Sequence, residues 1–248
     1  MVADLPLSGL SVLVTRPQAQ ADALSNMIAK QGGTVIRFPV ITIKQIDSRL
    51  WADENFADAA MMIFVSRNAV NHFMAGLKTK LPAQLKLVAV GKGTADAMKQ
   101  QGLTVDLLPT QSVGSEGLLL MPQLEQVSGK KIVIVRGKGG RELLADTLIA
   151  RGATISYIEV YERCIAEPSR EQCEAALLAD IIVCTSVAGV TNLTQLLNNE
   201  IDFILLKPLV VLSERIKQHA LSLGFNQVTV SADASDQAIM QRLMEMEK

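Results

Sequence analysis

The 248-residue sequence is poor in the residue types that usually stack on bases or carry strong acid–base chemistry: it has one Trp, two Tyr, six Phe and two His. So few rings leave little surface for nucleic-acid bases. The three cysteines, Cys164, Cys173 and Cys184, have neither CxxC spacing nor a histidine cluster beside them. That pattern argues against a zinc site or a disulfide framework and implies core thiols in a reducing compartment. Charge of one sign is lacking too, with 24 Lys and Arg against 25 Asp and Glu. Without a global field, a charged ligand has to be met locally. No apolar run reaches membrane-spanning length, and the opening MVADLPLSG carries an acid where a secretion signal would be basic. A cytoplasmic protein with no nucleic-acid or membrane partner is expected.

What the sequence does have is a long-period repeat. SGLSVLVTRP (8–17) lies over SGKKIVIVRG (128–137), with Arg16 over Arg136 and an offset of 136−16 = 120. Gly32 and Gly152 fall at the same offset, and so do Ser66 of MMIFVSRNAV and Ser186 of IIVCTSVAGV. KLVAVGKGTADAMKQQGL (86–103) matches PLVVLSERIKQHALSLGF (208–225) after a slip of two. A period this long means duplicated domains rather than a solenoid. Each copy alternates short β-branched runs with helical stretches that end in glycine, which predicts parallel sheets covered by helices on both faces. The fold expected is α/β, with two duplicated, doubly wound parallel-sheet domains. The equivalent β-rich segments FPVITI (38–43) and IEVYERC (158–164) are candidate linker strands, whereas a plain division near residue 122 would separate the copies. The repeat alone allows either.

In such sheets, ligands sit beyond the carboxyl ends of the strands, where helix N-termini offer amide donors. The loops concerned are TRPQAQ (15–20), SRNA (66–69), GKGTA (91–95), RGKGGRE (136–142), TSVAG (185–189) and LSERI (212–216). Thr15, Ser66, Thr94, Ser186 and Ser213 are expected as helix N-caps. Together the loops suit a cleft lined by donors for an anion. RGKGGRE is not a phosphate loop: GxxxxGK[ST] is absent, and Glu142 stands where GxGxxG needs its third glycine. What it shares with its counterpart is the strand-end arginine, Arg16 or Arg136, suited to carboxylate or phosphate. His72 and His219 fall inside predicted helices and read as ordinary helix residues. With no Ser–His–Asp order and no carboxylate pair, chemistry by positioning is favoured. Tyr161 stands where the first copy has Ile41, which makes it a candidate for function as well as for packing.

Order and spacing of VLVTRPQAQADAL, FPVITI, FVSRNAV, VAVGKGTADAM, VIVRGKGGRELLADTLIARGA, EVYER and VVLSERI resemble the uroporphyrinogen-III synthase family over nearly the whole chain. That resemblance implies two α/β domains, residues 1–37 plus 164–248 and residues 44–158, joined by a two-stranded linker (38–43 and 159–163), with the active site in the interdomain cleft. It implies cyclisation of the linear tetrapyrrole hydroxymethylbilane, with loss of water and inversion of ring D, by a cytoplasmic lyase of tetrapyrrole biosynthesis that uses no metal or organic cofactor. By position, Tyr161 corresponds to the family's donor near the leaving hydroxyl. Ser66, Thr94, Ser186 and Ser213 correspond to substrate-binding positions, and Arg16, Gly137, Gly139 and Gly140 to the mouth of the site; Gly91 and Arg136, at the same strand-end loops, are expected to bind substrate with them. The two-residue slip leaves open whether Ser213 matches Gly91 or Thr94. A monomer is expected, with at most a transient contact to the enzyme that supplies its substrate. Two other classes would also use such loops, a phosphosugar isomerase and a non-catalytic two-domain binding protein. The first wants a glutamate or histidine base that is not evident.

Overall fold

The computed structural model describes residues 5–52, 54, 56–110, 114–140 and 142–246. Among them the chain forms β1 Ser11–Val14, β2 Thr34–Arg37, β3 Ile41–Gln45, β4 Met61–Phe64, β5 Lys86–Ala89, β6 Lys131–Gly137, β7 Thr154–Ile165, β8 Ile181–Cys184, β9 Leu209–Val211 and β10 Val228–Val230. These make two sheets with strand orders β10-β9-β8-β1-β2 and β3-β7-β6-β4-β5. Pairing is parallel from β10 through to β2 and from β7 through to β5. The fold class expected from strand–helix alternation is therefore what the chain adopts.

The chain divides into two compact units, Met1–Thr42 with Cys164–Lys248, and Ile43–Arg163. It passes from one to the other within β3 and again within β7. The first of these strands begins at Ile41 rather than Phe38. The amide of Phe38 is taken by Val14 and that of Val40 by Thr15, and Pro39 between them has no amide to offer.

Each unit combines halves of both sequence copies. The offset pairs β1 with β6, β2 with β7, β4 with β8 and β5 with β9, and under that pairing both sheets have one order, β9-β8-β1-β2 and β5-β4-β6-β7. Even β10 has an echo, since Leu107 forms a single parallel bridge to Val88 on β5. Within the strands, side-chain alternation divides the sheet between two cores. Leu13, Ile182 and Cys184 face one core, and Val12, Val14, Ile181 and Val183 the other. In the second unit Met62 and Phe64 are separated from Met61 and Ile63 in the same way. The helices that cover these faces bury every residue of β4 and β8, which is why the strands read as continuous apolar runs. Among the described residues no helix is long and apolar enough to cross a membrane.

The repeat also explains two glycines. Gly32 and Gly152 end equivalent helices with φ of +85° and +84°. An added Cβ would lie 2.8 Å from Ser8 Oγ in one unit and 2.9 Å from Ser128 Oγ in the other. A left-handed backbone costs a non-glycine residue about 1–2 kcal/mol, before any contact with the serine. Gly152→Ala should therefore lower stability by at least that amount. Urea unfolding is the check, and a midpoint equal to the parent's would contradict the account.

Candidate active site

The second unit concentrates functional side chains at one edge of its sheet, because β4, β5, β6 and β7 are parallel and end on the same side. Ser66, Arg136, Gly137, Gly140, Tyr161 and Arg163 line a cavity of about 380 Å³ there. A larger groove of about 890 Å³ opens at the amino-terminal end of β5, among Leu77, Leu81 and Leu85. It collects none of the strand-end donors, so the smaller cavity is the better candidate.

Tyr161 is the centre of the site. Its side chain is almost wholly buried, only 2% exposed, and packs in the core formed by Phe64, Val135 and Val160. Its hydroxyl oxygen lies 3.2 Å from Ser66 Oγ, and Arg163 Nη2 donates to it at 3.3 Å. The Arg163 guanidinium stands 5.6 Å from the ring centre, within reach of the ring's negative face. His72 packs against the same ring, with centroids 5.7 Å apart, and burial lowers its pKa. The histidine taken as an ordinary helix residue is thus a neighbour of the tyrosine. Its six-residue spacing from Ser66 carries no signal of that.

Ser66 has two tasks. Its Oγ accepts from Ala69 N at 3.1 Å as N-cap of the helix Arg67–Gly76, and it reaches Tyr161. Ser186 and Ser213 are N-caps in the same extended conformation, accepting from Gly189 N at 3.0 Å and Ile216 N at 3.4 Å. Two of the expected caps are corrected. Thr15 Oγ1 donates to the Val183 carbonyl at 2.9 Å, and the helix that follows begins after Pro17 with no side-chain cap. Thr94 lies buried inside the helix Lys92–Gln100, whose N-cap is Gly91. That placement also resolves the two-residue slip: Ser213 matches Gly91, 213−91 = 122, and both precede helices of equal length.

The glycine-rich loop is built around Arg136. Only 5% of this side chain is exposed. Its Nη2 donates to Gly140 O at 2.5 Å and to Glu142 Oε1 at 2.9 Å, its Nε lies 3.8 Å from Glu159, and its guanidinium sits 4.5 Å from the Tyr157 ring centre. Glu142 also accepts from the Tyr157 hydroxyl. These bonds from Arg136 and then Tyr157 hold the Glu142 carboxyl below its ordinary value, while burial followed by the bond to Glu142 pushes Tyr157 up to about 12. Arg136, expected as an anion receptor, is therefore occupied in folding its own loop. A Cβ on Gly140 would come 3.0 Å from Arg136 Nε, and one on Gly137 would come 2.5 Å from Tyr161 Cζ. The glycines make room for two side chains, and Gly139 turns the loop with a φ of +69°. Arg141 of the same loop lies outside the described residues.

In the first unit Arg16, Ser186 and Ser213 follow β1, β8 and β9, which are neighbours in its sheet. Arg16 Nη1 forms an ion pair with Asp236 Oδ1 at 2.5 Å. Gly91, Thr94 and Gly139 lie outside the lining of the cavity around Tyr161. Arg163 lines it too; it is the last residue of EVYER, two after Tyr161, and is not among the expected site residues. Among the described residues no group of three or more His, Cys, Asp or Glu is placed to hold a metal ion.

A family model described as uroporphyrinogen-III synthase HemD matches residues 22–241. The chain belongs to the uroporphyrinogen-III synthase family. Uroporphyrinogen-III synthase of Escherichia coli (strain K12) is 30% identical over 251 residues, covering 94% of this chain and 100% of that one. The enzyme of the same name from Salmonella typhimurium is 28% identical over 246 residues, with the same coverage. The crystal structure of uroporphyrinogen-III synthetase from Helicobacter pylori 26695 superposes with a TM-score of 0.67 over 96% of this chain and 99% of that one. At 13% identity this likeness concerns the fold alone.

Two outcomes follow from the loop. Gly137→Ala forces the buried Tyr161 ring to shift, and overpacking of this kind costs roughly 1–3 kcal/mol; denaturant unfolding measures it. The second is a pH effect. Because the Glu142 pKa is depressed in the folded state, its contribution is present above the ordinary value of 4.5 and is lost as the pH falls through the lowered value. The difference in Tm between the parent and Glu142→Gln should shrink as the pH is lowered from neutral to well below the ordinary value of 4.5. A difference that stays constant would show that the carboxylate's charge is irrelevant.

Proposed function

We propose that this member of the uroporphyrinogen-III synthase family closes hydroxymethylbilane to uroporphyrinogen III as a hydro-lyase, with Tyr161 as the proton donor to the departing hydroxyl. The observation that carries the reading is the phenol of Tyr161 at a cavity wall, held by a serine and an arginine, with the strand-end loops of a parallel sheet around it; the other phenol of the lining, Tyr157, has its hydroxyl bonded to Glu142. Loss of the hydroxyl from ring A as water leaves an electrophilic azafulvenium. The substituted carbon of ring D attacks it to give a spiro intermediate, which fragments and recloses in the inverted sense. The proton released when the last pyrrole regains aromaticity restores the phenol. The pyrroles supply the electrons, so the step needs neither an oxidant nor a strong base.

What the protein contributes is folding of the substrate and one proton. The cavity of about 380 Å³ takes one pyrrole with its carboxylate arms rather than the whole tetrapyrrole. Amides at the helix N-terminus that follows Ser66 suit those carboxylates without requiring a basic surface. Arg136, already paired with Glu142, serves the substrate through the loop it shapes.

Tyr161→Phe preserves the ring against Gly137 and removes only the hydroxyl. Turnover should fall by roughly 10²-fold, the usual worth of a general acid. Hydroxymethylbilane closes spontaneously without ring inversion, so the slow variant should accumulate mostly the type I isomer. Separation of the isomers by chromatography reads both effects. Type III product formed at the parent's rate would leave Tyr161 as packing alone.

A further inference from the structure

The hydrogen-bond inventory around Tyr161 contains more than its proximity to the cavity. Arg163 carries only donors, so its 3.3 Å contact requires the phenolic oxygen to accept. Ser66 Oγ already accepts from Ala69 N, and among the described residues the phenolic oxygen is the one acceptor given for its own hydrogen. A serine hydroxyl that accepts from an amide and donates onward leaves both bonds at the phenol directed inward to its oxygen. The phenolic hydrogen then has no partner among the described residues and is left for the cavity that Tyr161 lines. Arg163 is well suited to hold this arrangement. Unlike Arg136, it has no carboxylate partner among the described residues, its guanidinium lies over the ring it orients, and its own side chain lines the cavity.

We infer that Arg163 is a positioning residue for catalysis: with Ser66 it makes the Tyr161 oxygen a double acceptor, aims the phenolic proton at the substrate and receives the oxygen's charge when that proton leaves. The inference rests on the proposed role of Tyr161. The proton goes to the departing hydroxyl, which leaves as water. The N–H of Arg163 and the O–H of Ser66 remain on the phenolate oxygen until the proton released by the closing pyrrole returns. Donors fixed in advance on a developing negative charge need no rearrangement during the step, which is what makes them effective.

A double-mutant cycle tests this, with type III product as the readout because spontaneous closure does not form it. Arg163→Met in the parent should lower kcat by about tenfold or more, the worth of one charge-assisted hydrogen bond expressed as a rate, while KM changes by less than about threefold. In the Tyr161→Phe background the same change should have almost no further effect, because the group through which Arg163 acts is gone. Arg163 is exposed, and equal thermal melting of the variants establishes that each is folded. An equal loss in both backgrounds, a rise in KM with kcat unchanged, or no change in the parent would each overturn the role of Arg163 while leaving the proposed reaction in place. A parent that yields no type III product would overturn both.

Discussion

The site depends on one irregular contact between two parallel strands. Along β6 and β7 the pairing is regular until Arg136 meets Glu159; the next pair is Gly137 with Tyr161, and Val160 is left over. A bulge of this kind breaks the two-residue alternation. Ile158, Val160 and Tyr161 are all buried as a result, which no unbroken strand could achieve on one face. Without the extra residue, Tyr161 would stand opposite Lys138. With it, the ring lies across the one residue of the strand end that has no Cβ, and its hydroxyl reaches the cap of the neighbouring β4 helix. The phenol's position is therefore a property of the sheet, which is stiffer than any loop could be.

Much of the architecture was legible because it follows from periodicity. Buried strands such as MMIF and IIVC announce themselves, and an offset of 120 that holds at arginine, glycine and serine positions leaves few alternatives to duplication. What a pattern cannot convey is which half of a copy pairs with which. The sheets join β1 and β2 of the first copy to β8 and β9 of the second, and the linear repeat is compatible with either arrangement. The helix caps divide along similar lines. Ser66, Ser186 and Ser213 immediately precede their helices, and the residue type suffices. Thr15 is separated from its helix by Arg16 and Pro17, and Thr94 by its position two residues inside; a shift of two or three residues decides the role, and composition does not resolve it.

Arg136 illustrates the remaining gap. Strand-end arginine beside glycine is a sound sign of an anion site, and the same residue type equally suits an internal carboxylate. The choice was made by Glu142, six residues on, and by Tyr157 on the next strand, which together close the guanidinium under an aromatic ring. Glu142 stands out in the sequence only as a missing glycine, and Tyr157 only as one of two tyrosines, so neither announces itself as a partner of Arg136. The functional consequence is indirect, since removing the exposed Glu142 carboxylate would leave the buried Arg136 guanidinium without that compensation. The loop that carries Gly137 is held in place by this pair, at the wall of the cavity.

Arg163 lies at the other end of this logic. It differs from Arg136 in having no carboxylate partner among the described residues, and a guanidinium so placed beside a phenol keeps its positive charge available to that oxygen. An acidic neighbour would leave the same hydrogen bond in place but compensate the charge, as Glu142 does for Arg136. The two arginines thus divide by their partners: Arg136 is paired with Glu142 and shapes a loop, and Arg163, with no carboxylate partner among the described residues, is the one placed to support the proton transfer proposed for Tyr161.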